Sequence, residues 1–506
     1  MSIAQPSVNP IVADRRGSAL RRGVSRLRQA DVSLGRDPAR IILVGLFGAG
    51  VLARVALILS VHALTYPDSG NYLESTVAGL WSDPLRTAGY PMFLRVLRAI
   101  APHLLLVIVL QHVMGMAAAL LLFAIMRRLG APTGLALVPC AAVLLSGDEL
   151  LIEHAVLSEA VFTPLLIASL YCAVRARRSG VAWAVAAGVC AGLSVWTRAA
   201  ALPLLLTGPI WLVLCERRPT PRTLALGAVS LIVGLATVAV YTEWHYLASG
   251  QGGLVAGDGW VLYGRVAPFA DCREFTPPAG TESLCEARPP AQRPLSQTGV
   301  WYVFNRSSPA VSSIGPAEDT PEPGDMARLQ RFSLAAIEGQ PLDYLHDVSQ
   351  DAIRLIDPGH HSRNSLTASV LMTALFTRRK PTGSIAYWQR RAYPGDPLKH
   401  GRAGVFRRWE KLTRITGVPF VVLLLLSLLA PWSVRGEARS ETRLIVGTTL
   451  VLLLFPLFVR GYEYRFVIPL LGPFVMGAGL GGWGLVQRLR RPRATSEGSG
   501  GSPGTS

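Results

Sequence analysis

Long apolar runs separated by short polar stretches dominate the chain. About twenty apolar residues are needed for a helix to cross a bilayer, and runs of roughly this length fall at 41–64, 103–126, 131–147, 155–174, 181–197, 199–215, 223–243, 415–434, 442–459 and 464–487. The pattern predicts an all-α polytopic membrane protein with about ten transmembrane helices. Because almost no loop separates the fifth and sixth runs at Arg198, one long re-entrant element is the alternative there.

Composition agrees with this class. Hydrophobic residues make up 50% of the 506 residues, and the formal net charge is +18. The basic residues cluster at the ends of apolar runs instead of forming a basic groove with interleaved aromatic residues, so nucleic acid is excluded as the partner and the lipid bilayer is favoured.

The positions of the arginines predict the topology. They concentrate in the N-terminal tail and at 127–128, 175–178, 217–222, 435–443 and 488–493. Arginine-rich short loops face the cytoplasm, so both termini are expected there, in a multi-pass protein of the cell membrane. The opposite, extracytoplasmic face then receives 65–102, 148–154, the turn at Arg198, 244–414 and 460–464.

The same pattern divides the chain into regions. Residues 1–40 predict a disordered cytoplasmic tail, 41–243 a membrane module of seven helices whose first outer loop is 65–102, 415–487 a second membrane module, and 488–506 a flexible tail. Between helices seven and eight, 244–414 is too long for a structureless connection and predicts a small extracytoplasmic domain. Pro341 is placed to begin a helix within it.

Two cysteines share a polar stretch of this predicted outer domain. Cys272 and Cys285 would face an oxidising compartment and close a small loop, which favours a disulfide between them. The remaining cysteines lie in apolar runs and are expected to be small buried hydrophobic residues.

The first outer loop also predicts an interfacial helix. In "RTAGYPMFLRVLRAI", residues 86–100, one helical face carries Tyr90, Phe93, Leu94 and Leu97. Arg95 and Arg98 lie on the other face, as is typical of a helix in the plane of the membrane surface.

Ionisable residues gather at the predicted outer rim. Asp68 lies in "TYPDSGNYLE" after the first span, and Glu159 lies at the start of the fourth. Arg198, Arg460 and Arg465 reach the same depth from later segments. Carboxylates supply a base and guanidinium groups bind phosphate bidentately, so a phosphate site is indicated. A capping aspartate in a polar turn and an internal salt-bridge network are the alternatives.

Metal ligands are sparse in the sequence. His360 and His361 are adjacent but have no third ligand at a telling spacing, so no metal site is assigned. A divalent cation between Asp68 and Glu159 is an alternative for the rim.

The order of these motifs resembles a known superfamily. "YPDSGNYLE" and "RTAGYPMFL" in the first loop, "LSEAVF" opening the fourth span, "WTRAA", and "YRFVIPLLGP" opening the last span are similar to those of GT-C membrane glycosyltransferases. Within that superfamily the chain looks like glycosyltransferase family 39, which includes protein O-mannosyltransferases and lipid A aminoarabinose transferase. The similarity covers 40–243 by motif and 415–487 by layout.

The resemblance implies a function and site residues. It implies transfer of a hexosyl or pentosyl group from a polyprenyl-phosphate donor to a hydroxyl of an envelope glycan, lipid or protein. By this resemblance Asp68 is the catalytic base and Glu159 the second site acid, while Arg198 and Arg465, with Arg460 nearby, bind the donor phosphate. Ser69 replaces the second adjacent acid that many members carry. A transporter or flippase for a lipid-linked or anionic solute, and a lipid-linked glycan polymerase or ligase, are the competing interpretations.

Overall fold

A computed structural model describes residues 38–216, 218–357, 359–360, 383–398 and 404–490. The chain divides into two units, Met1–Ala49 and Gly50–Ser506. Apart from their inner ends, the predicted tails 1–40 and 488–506 lie outside the described residues, and so does His361.

Helices connected by short loops and single 3-10 turns account for most of the described residues. Their bounds in chain order are α1 Pro38–Ser60, α2 Pro67–Val77, α3 Gly89–Ile100, α4 Leu104–Arg128, α5 Thr133–Leu145, α6 Gly147–Glu153, α7 Glu159–Ser179, α8 Val181–Thr197, α9 Leu204–Leu214, α10 Pro221–Ser249, α11 Asp258–Val266, α12 Gly299–Phe304, α13 Pro309–Ile314, α14 Asp325–Gly339, α15 Pro341–Ile356, α16 Gly383–Ala392, α17 Gly404–Thr413, α18 Val418–Ser433, α19 Ala438–Val459 and α20 Leu471–Leu489. The predicted all-α class is confirmed for this part of the chain.

Six of the described helical segments are long and apolar enough to cross a membrane: Arg40–Ser60, α4, α7, α10, α19 and Tyr464–Leu489. Two further pairs qualify only together, α5 with α6 bent by 52° and α17 with α18 bent by 47°, which raises the number to at most eight. The predicted fifth and sixth spans form shorter apolar helices, Val181–Thr197 and Ala199–Leu214. The sequence therefore located the apolar segments, but the count of ten is not confirmed.

Large apolar side chains cover the outward faces of several of these helices. Leu206 and Ile210 of α9, and Ile232, Leu235 and Val240 of α10, are all at least half exposed. Such a continuous apolar surface is unfavourable in water and is matched by lipid. These faces are those of a membrane-embedded protein.

Small residues let α8 pack closely against α10. A Cβ atom added at Gly192 would lie 2.5 Å from Cβ of Thr237, and one added at Gly188 would also collide with α10. A Gly-xxx-Gly spacing places both glycines on one helical face, where the backbones can approach. This packing fixes the end of α8, from which Arg198 follows.

The segment between α10 and α17 contains its own hydrophobic core. Trp260 and Tyr263 of α11, Tyr302 of α12, and Leu329 and Phe332 of α14 are all buried in it. Because these side chains come from three helices, the core holds α11 and α14 against each other.

Two local predictions for this segment agree with the structure. Cys272 and Cys285 are joined by a disulfide, with their Cα atoms 6.0 Å apart. Pro341 occupies the first turn of α15, in which Val348 and Leu355 are buried.

The end of this segment packs against the first loop. Helix α16 lies against α2, the guanidinium of Arg98 donates to the carbonyl oxygen of Ala392 at 2.8 Å, and the amide of Leu104 donates to Asp396 Oδ2 at 2.6 Å. A helix is present within the predicted stretch 86–100 as α3, and Arg98 near its end contacts α16 through Ala392.

Candidate functional site

The stretch "TYPDSGNYLE" begins a helix and does not form the polar turn that its composition also allowed. Pro67 occupies the first turn of α2, where its missing N–H costs nothing. Ser69 Oγ accepts a hydrogen bond from the amide of Tyr66 at 2.9 Å. Asp68 therefore has a fixed backbone, and its side chain is 9% exposed.

Hydrogen bonds to the backbone hold Asp68 next to the start of α7. The amide of Leu64 donates to the carbonyl of His154 at 3.0 Å, and the amide of Val156 donates to the carbonyl of Leu64 at 3.0 Å. Ser69 Oγ donates to the carbonyl of Val156 at 2.8 Å. Residues distant in sequence are thereby held side by side, with Glu159 following directly.

Both carboxylate oxygens of Asp68 are occupied by arginines. Nη2 of Arg86 donates to Oδ1 at 2.6 Å, and Nη1 of Arg465 donates to Oδ2. Arg86 is itself oriented by Asp83, whose Oδ2 accepts from Nη1 at 3.0 Å. Such charge-assisted contacts fix the geometry of a buried carboxylate.

Glu159 is completely buried and pairs with Arg198. Nη1 of Arg198 lies 2.5 Å from Glu159 Oε1, and Nε of Arg465 lies 3.7 Å from the same oxygen. Nη1 of Arg198 also donates to Ser158 Oγ at 3.3 Å, and that hydroxyl lies 3.0 Å from the hydroxyl of Tyr72. The carboxylate of Glu159 thus contacts the guanidinium groups of two arginines, Arg198 and Arg465.

A third carboxylate completes the cluster. Nε of Arg465 donates to Glu463 Oε2 at 2.5 Å, and Nη2 of Arg460 lies 3.1 Å from Glu463 Oε1. The ring of Phe466 lies against the guanidinium carbons of Arg198 and Arg460, at 4.9 and 5.7 Å from its centre. The start of the last span therefore organises the basic side chains.

The arginines determine the protonation of the acids outside the membrane spans. Burial acts to raise the pKa of Asp68, but Arg465 and Arg86 outweigh it and hold that pKa far below its ordinary value. Burial likewise opposes Arg460 and Arg465 at Glu463, whose pKa is nevertheless lowered. Burial followed by the negative charge of Asp68 raises the pKa of Tyr72 to about 12. Asp68 and Glu463 are therefore ionised and Tyr72 is neutral at physiological pH.

A cavity of about 500 Å³ opens beside this cluster. Its polar lining includes the carboxylate of Asp68 and the guanidinium groups of Arg86, Arg198, Arg460 and Arg465. Much of the remaining lining is apolar and comes from both the membrane helices and the outer segment: Leu202, Phe455, Val459, Leu254, Val261, Leu262 and Leu334. The cavity is large enough for a sugar phosphate and has an apolar extension.

The structure brings all five predicted site residues into one cluster, but not all of them line the cavity. Asp68, Arg198, Arg460 and Arg465 line the cavity, whereas Glu159 does not. Positive and negative side chains are balanced within the cluster: Arg86, Arg198, Arg460 and Arg465 against Asp68, Asp83, Glu159 and Glu463. An anionic ligand therefore binds only by taking over guanidinium donors or using those that face the cavity.

Three charged members of the cluster, Asp83, Arg86 and Glu463, are not among the site residues that the sequence predicted. In the stretch 86–100, the helical pattern points to Arg95 and Arg98 but not to Arg86. A signal was present, since Asp83 precedes Arg86 by three residues beside Pro84, and an acid so placed orients a guanidinium. Glu463 was visible in "RGYEYRF", but only the tertiary structure shows it bridging Arg460 and Arg465.

No group of three or more metal-binding side chains occurs among the described residues. Both carboxylates proposed for a divalent cation, Asp68 and Glu159, contact guanidinium groups instead. His360 is described, but its neighbour His361 is not.

Neither a protein-family model nor a curated protein sequence matches the chain. Among solved structures, it is similar to ArnT from Cupriavidus metallidurans bound to undecaprenyl phosphate, with 15% identity over 86% of this chain and 77% of that chain, and a TM-score of 0.33. Similarity at this level does not establish a family.

Proposed function

We propose that the protein is an integral membrane glycosyltransferase. It transfers a hexosyl or pentosyl group from a polyprenyl-phosphate donor to a hydroxyl of an envelope glycan, lipid or protein at the extracytoplasmic face. The observation that carries this proposal is the cavity of about 500 Å³, in which a buried carboxylate and several guanidinium groups adjoin an apolar lining.

The guanidinium groups suit the phosphate of such a donor. Arg86, Arg198 and Arg460 each face the cavity and use only part of their donor capacity in the contacts described above, since an arginine carries five N–H donors. Planar guanidinium groups bind phosphate bidentately and stay charged at every physiological pH. Their contacts stabilise the negative charge that develops on the phosphate as it leaves.

The apolar part of the cavity suits the lipid of the donor. Leu202 follows Arg198 between α8 and α9, while Phe455 and Val459 belong to the end of α19. Phosphate at the arginines would therefore leave the polyprenyl chain beside membrane helices, where its burial is favourable.

Asp68 is the proposed base. The acceptor oxygen attacks the anomeric carbon, the bond from that carbon to the phosphate oxygen breaks, and its electron pair stays on the phosphate. The acceptor's proton passes to Asp68. Its contacts with two arginines make this carboxylate a weak base. A phosphate that recruits Arg86 or Arg465 would weaken that pairing and raise the proton affinity of Asp68.

Glu159 has a positioning role in this proposal. It is completely buried and absent from the cavity lining, so it does not reach substrate in this arrangement. Its charge instead holds Arg198 and Arg465 at the cavity wall.

The extracytoplasmic assignment rests on two observations. The Cys272–Cys285 disulfide belongs to the segment 244–414, and structural disulfides persist in oxidising compartments. The arginine-rich short loops predict that both termini are cytoplasmic. In this topology the segment 244–414 would contact the acceptor.

Transfer by the purified protein tests the proposal. Radiolabelled polyprenyl-phosphate sugars are supplied together with cell-envelope extract, and label in the extract is measured. Asp68→Asn is expected to bind undecaprenyl phosphate but to transfer sugar about 10²- to 10⁴-fold more slowly, the usual contribution of a general base. Glu74→Gln is the matched control, because Glu74 lies on the same helix and outside the cavity lining.

Equal transfer by Asp68→Asn and the wild type would remove Asp68 from the mechanism. If the wild type transfers no sugar but moves the labelled lipid across proteoliposomes, the transporter interpretation is favoured instead.

Donor binding tests the phosphate assignment separately. Arg86→Gln and Arg198→Ala are expected to weaken undecaprenyl phosphate binding by about tenfold or more, as loss of a charge-assisted hydrogen bond does. Arg95→Gln is the control, because Arg95 donates to the carbonyl of Ser75 and does not line the cavity. Unchanged affinity in both test variants would contradict the assignment.

A further inference from the structure

A second polar wall faces the cavity from the outer segment. Asp258, in the first turn of α11, and Gln330 of α14 both line the cavity that contains Asp68. Asp258 is exposed and Gln330 is half-buried. Neither residue belongs to the charge cluster described above.

The two walls are joined by the protein backbone. The amide of Gly257 donates to the carbonyl of Pro84 at 2.7 Å, and a Cβ atom added at Gly257 would lie 2.8 Å from Cδ2 of Leu85. The start of α11 is thus held against the loop that ends at Arg86. Asp258, the next residue, is therefore held beside this loop by a close backbone contact that only glycine permits.

Asp258 nevertheless differs from the acids of the charge cluster. Asp68, Glu159 and Glu463 are all paired with arginine. Within the described part of the chain, Asp258 makes no ion pair and its carboxylate accepts no hydrogen bond. A cavity carboxylate with both oxygens available repels phosphate and accepts hydrogen bonds from hydroxyl groups.

The neighbours of Asp258 define the class of ligand. The amide of Gln330 both donates and accepts hydrogen bonds, which complements hydroxyl groups. Val261, Leu262 and Leu334 provide apolar surface on the same wall. A carboxylate, an amide and aliphatic side chains together match a sugar ring, whose edges carry hydroxyl groups and whose faces carry C–H groups.

We propose that Asp258 and Gln330 form a sugar-binding subsite in the same cavity as the arginines. The inference rests on the proposed glycosyltransferase function, and it places the phosphate at the guanidinium groups and a sugar ring at Asp258 and Gln330. The sugar belongs either to the donor or to the acceptor, since both present the same hydroxyl chemistry.

Three binding measurements on Asp258→Ala and Gln330→Ala test this subsite. They are the affinity for undecaprenyl phosphate, the affinity for polyprenyl-phosphate mannose and polyprenyl-phosphate arabinose, and the KM for acceptor in envelope extract. The sugar-free lipid should bind within about twofold of wild type, whereas a sugar-bearing ligand should bind roughly tenfold more weakly, as loss of a hydrogen bond to a charged group predicts. A loss of donor affinity assigns the subsite to the donor sugar, and a rise in the KM for acceptor assigns it to the acceptor.

Asp325→Ala is the matched control, because Asp325 also lies in the first turn of a helix of the outer segment but not on the cavity. It reproduces any loss of helix stabilisation by an N-terminal acid. If the wild type transfers sugar and Asp258→Ala and Gln330→Ala both match Asp325→Ala in all three measurements, only the subsite is overturned. If the wild type transfers none and binds sugar-bearing lipid no more tightly than undecaprenyl phosphate, the proposed function fails as well.

Discussion

The ion pair between Glu159 and Arg198 offers the sharpest test of the site's construction. Their side chains are 0% and 12% exposed and their nearest atoms are 2.5 Å apart. Removing one partner of such a pair leaves an uncompensated buried charge, which costs about 3–5 kcal/mol. Glu159→Gln and Arg198→Ala are each expected to lower the free energy of unfolding by roughly 3 kcal/mol, near the lower limit. In Arg198→Ala, Arg465 remains 3.7 Å from Glu159. In Glu159→Gln, Arg198 keeps its hydrogen bond to Ser158.

The double variant should be markedly less unstable than the sum of the single changes. With both charges removed, no unpaired group remains, and contacting charges commonly show an interaction energy of about 0.5–3 kcal/mol. We expect about 2 kcal/mol for this pair. The assay is reversible unfolding in mixed detergent micelles, followed by tryptophan fluorescence for all four proteins of the cycle.

Two results would refute this reasoning. Additive effects within about 0.5 kcal/mol would show that the contact does not couple the residues energetically. A Glu159→Gln protein that keeps wild-type stability and donor affinity yet loses transfer would show that Glu159 acts in the chemistry instead of holding the arginines.

Three further predictions concern packing, the disulfide and pH. Gly192→Val should destabilise the protein by about 1–3 kcal/mol, because the added side chain collides with Thr237. Adding Thr237→Gly should recover part of that loss in the same unfolding assay. Equal instability with and without the second change would contradict the close helix contact. Replacing both Cys272 and Cys285 by serine should speed proteolysis of the outer segment under non-reducing conditions, since closing a loop of this length stabilises by about 3 kcal/mol; unchanged cleavage would argue against that contribution. The arginines hold the pKa of Asp68 below its unfolded value. The contribution of Asp68 to stability is therefore fully present above about pH 4 and is lost as pH falls through the folded pKa. Asp68→Asn should show a smaller loss of thermal stability between pH 7 and pH 3 than wild type, and an identical loss would contradict the pairing.

Local patterns were enough to locate most helices. Apolar runs predicted the membrane segments because a helix satisfies all of its backbone hydrogen bonds within one segment, independently of the rest of the chain. Pro341 marked the start of α15 because proline is favoured in the first turn of a helix, where its missing N–H has no intrahelical partner to lose. The same local signal at Pro67 was outweighed by the turn-like composition of "PDSG", so the start of α2 was not recognised.

The breaks within apolar runs were less visible. The predicted span 131–147 ends at Leu145 and bends by 52° into Gly147–Glu153. The run 415–434 is preceded by α17, at an angle of 47°. Hydropathy does not report such bends, because it depends on composition and not on the angle between consecutive helices.

The sequence by itself determined that the chain is helical and membrane-embedded, where its apolar segments lie, and that acids and arginines share one rim. Only the tertiary structure decided their contacts: it placed Arg86 on Asp68, paired the buried Glu159 with Arg198, and brought Asp258 to the same cavity. The physical reason is that helix formation depends on neighbours within a few residues, whereas a charge acquires its role from partners within a few ångströms, wherever they lie in the sequence.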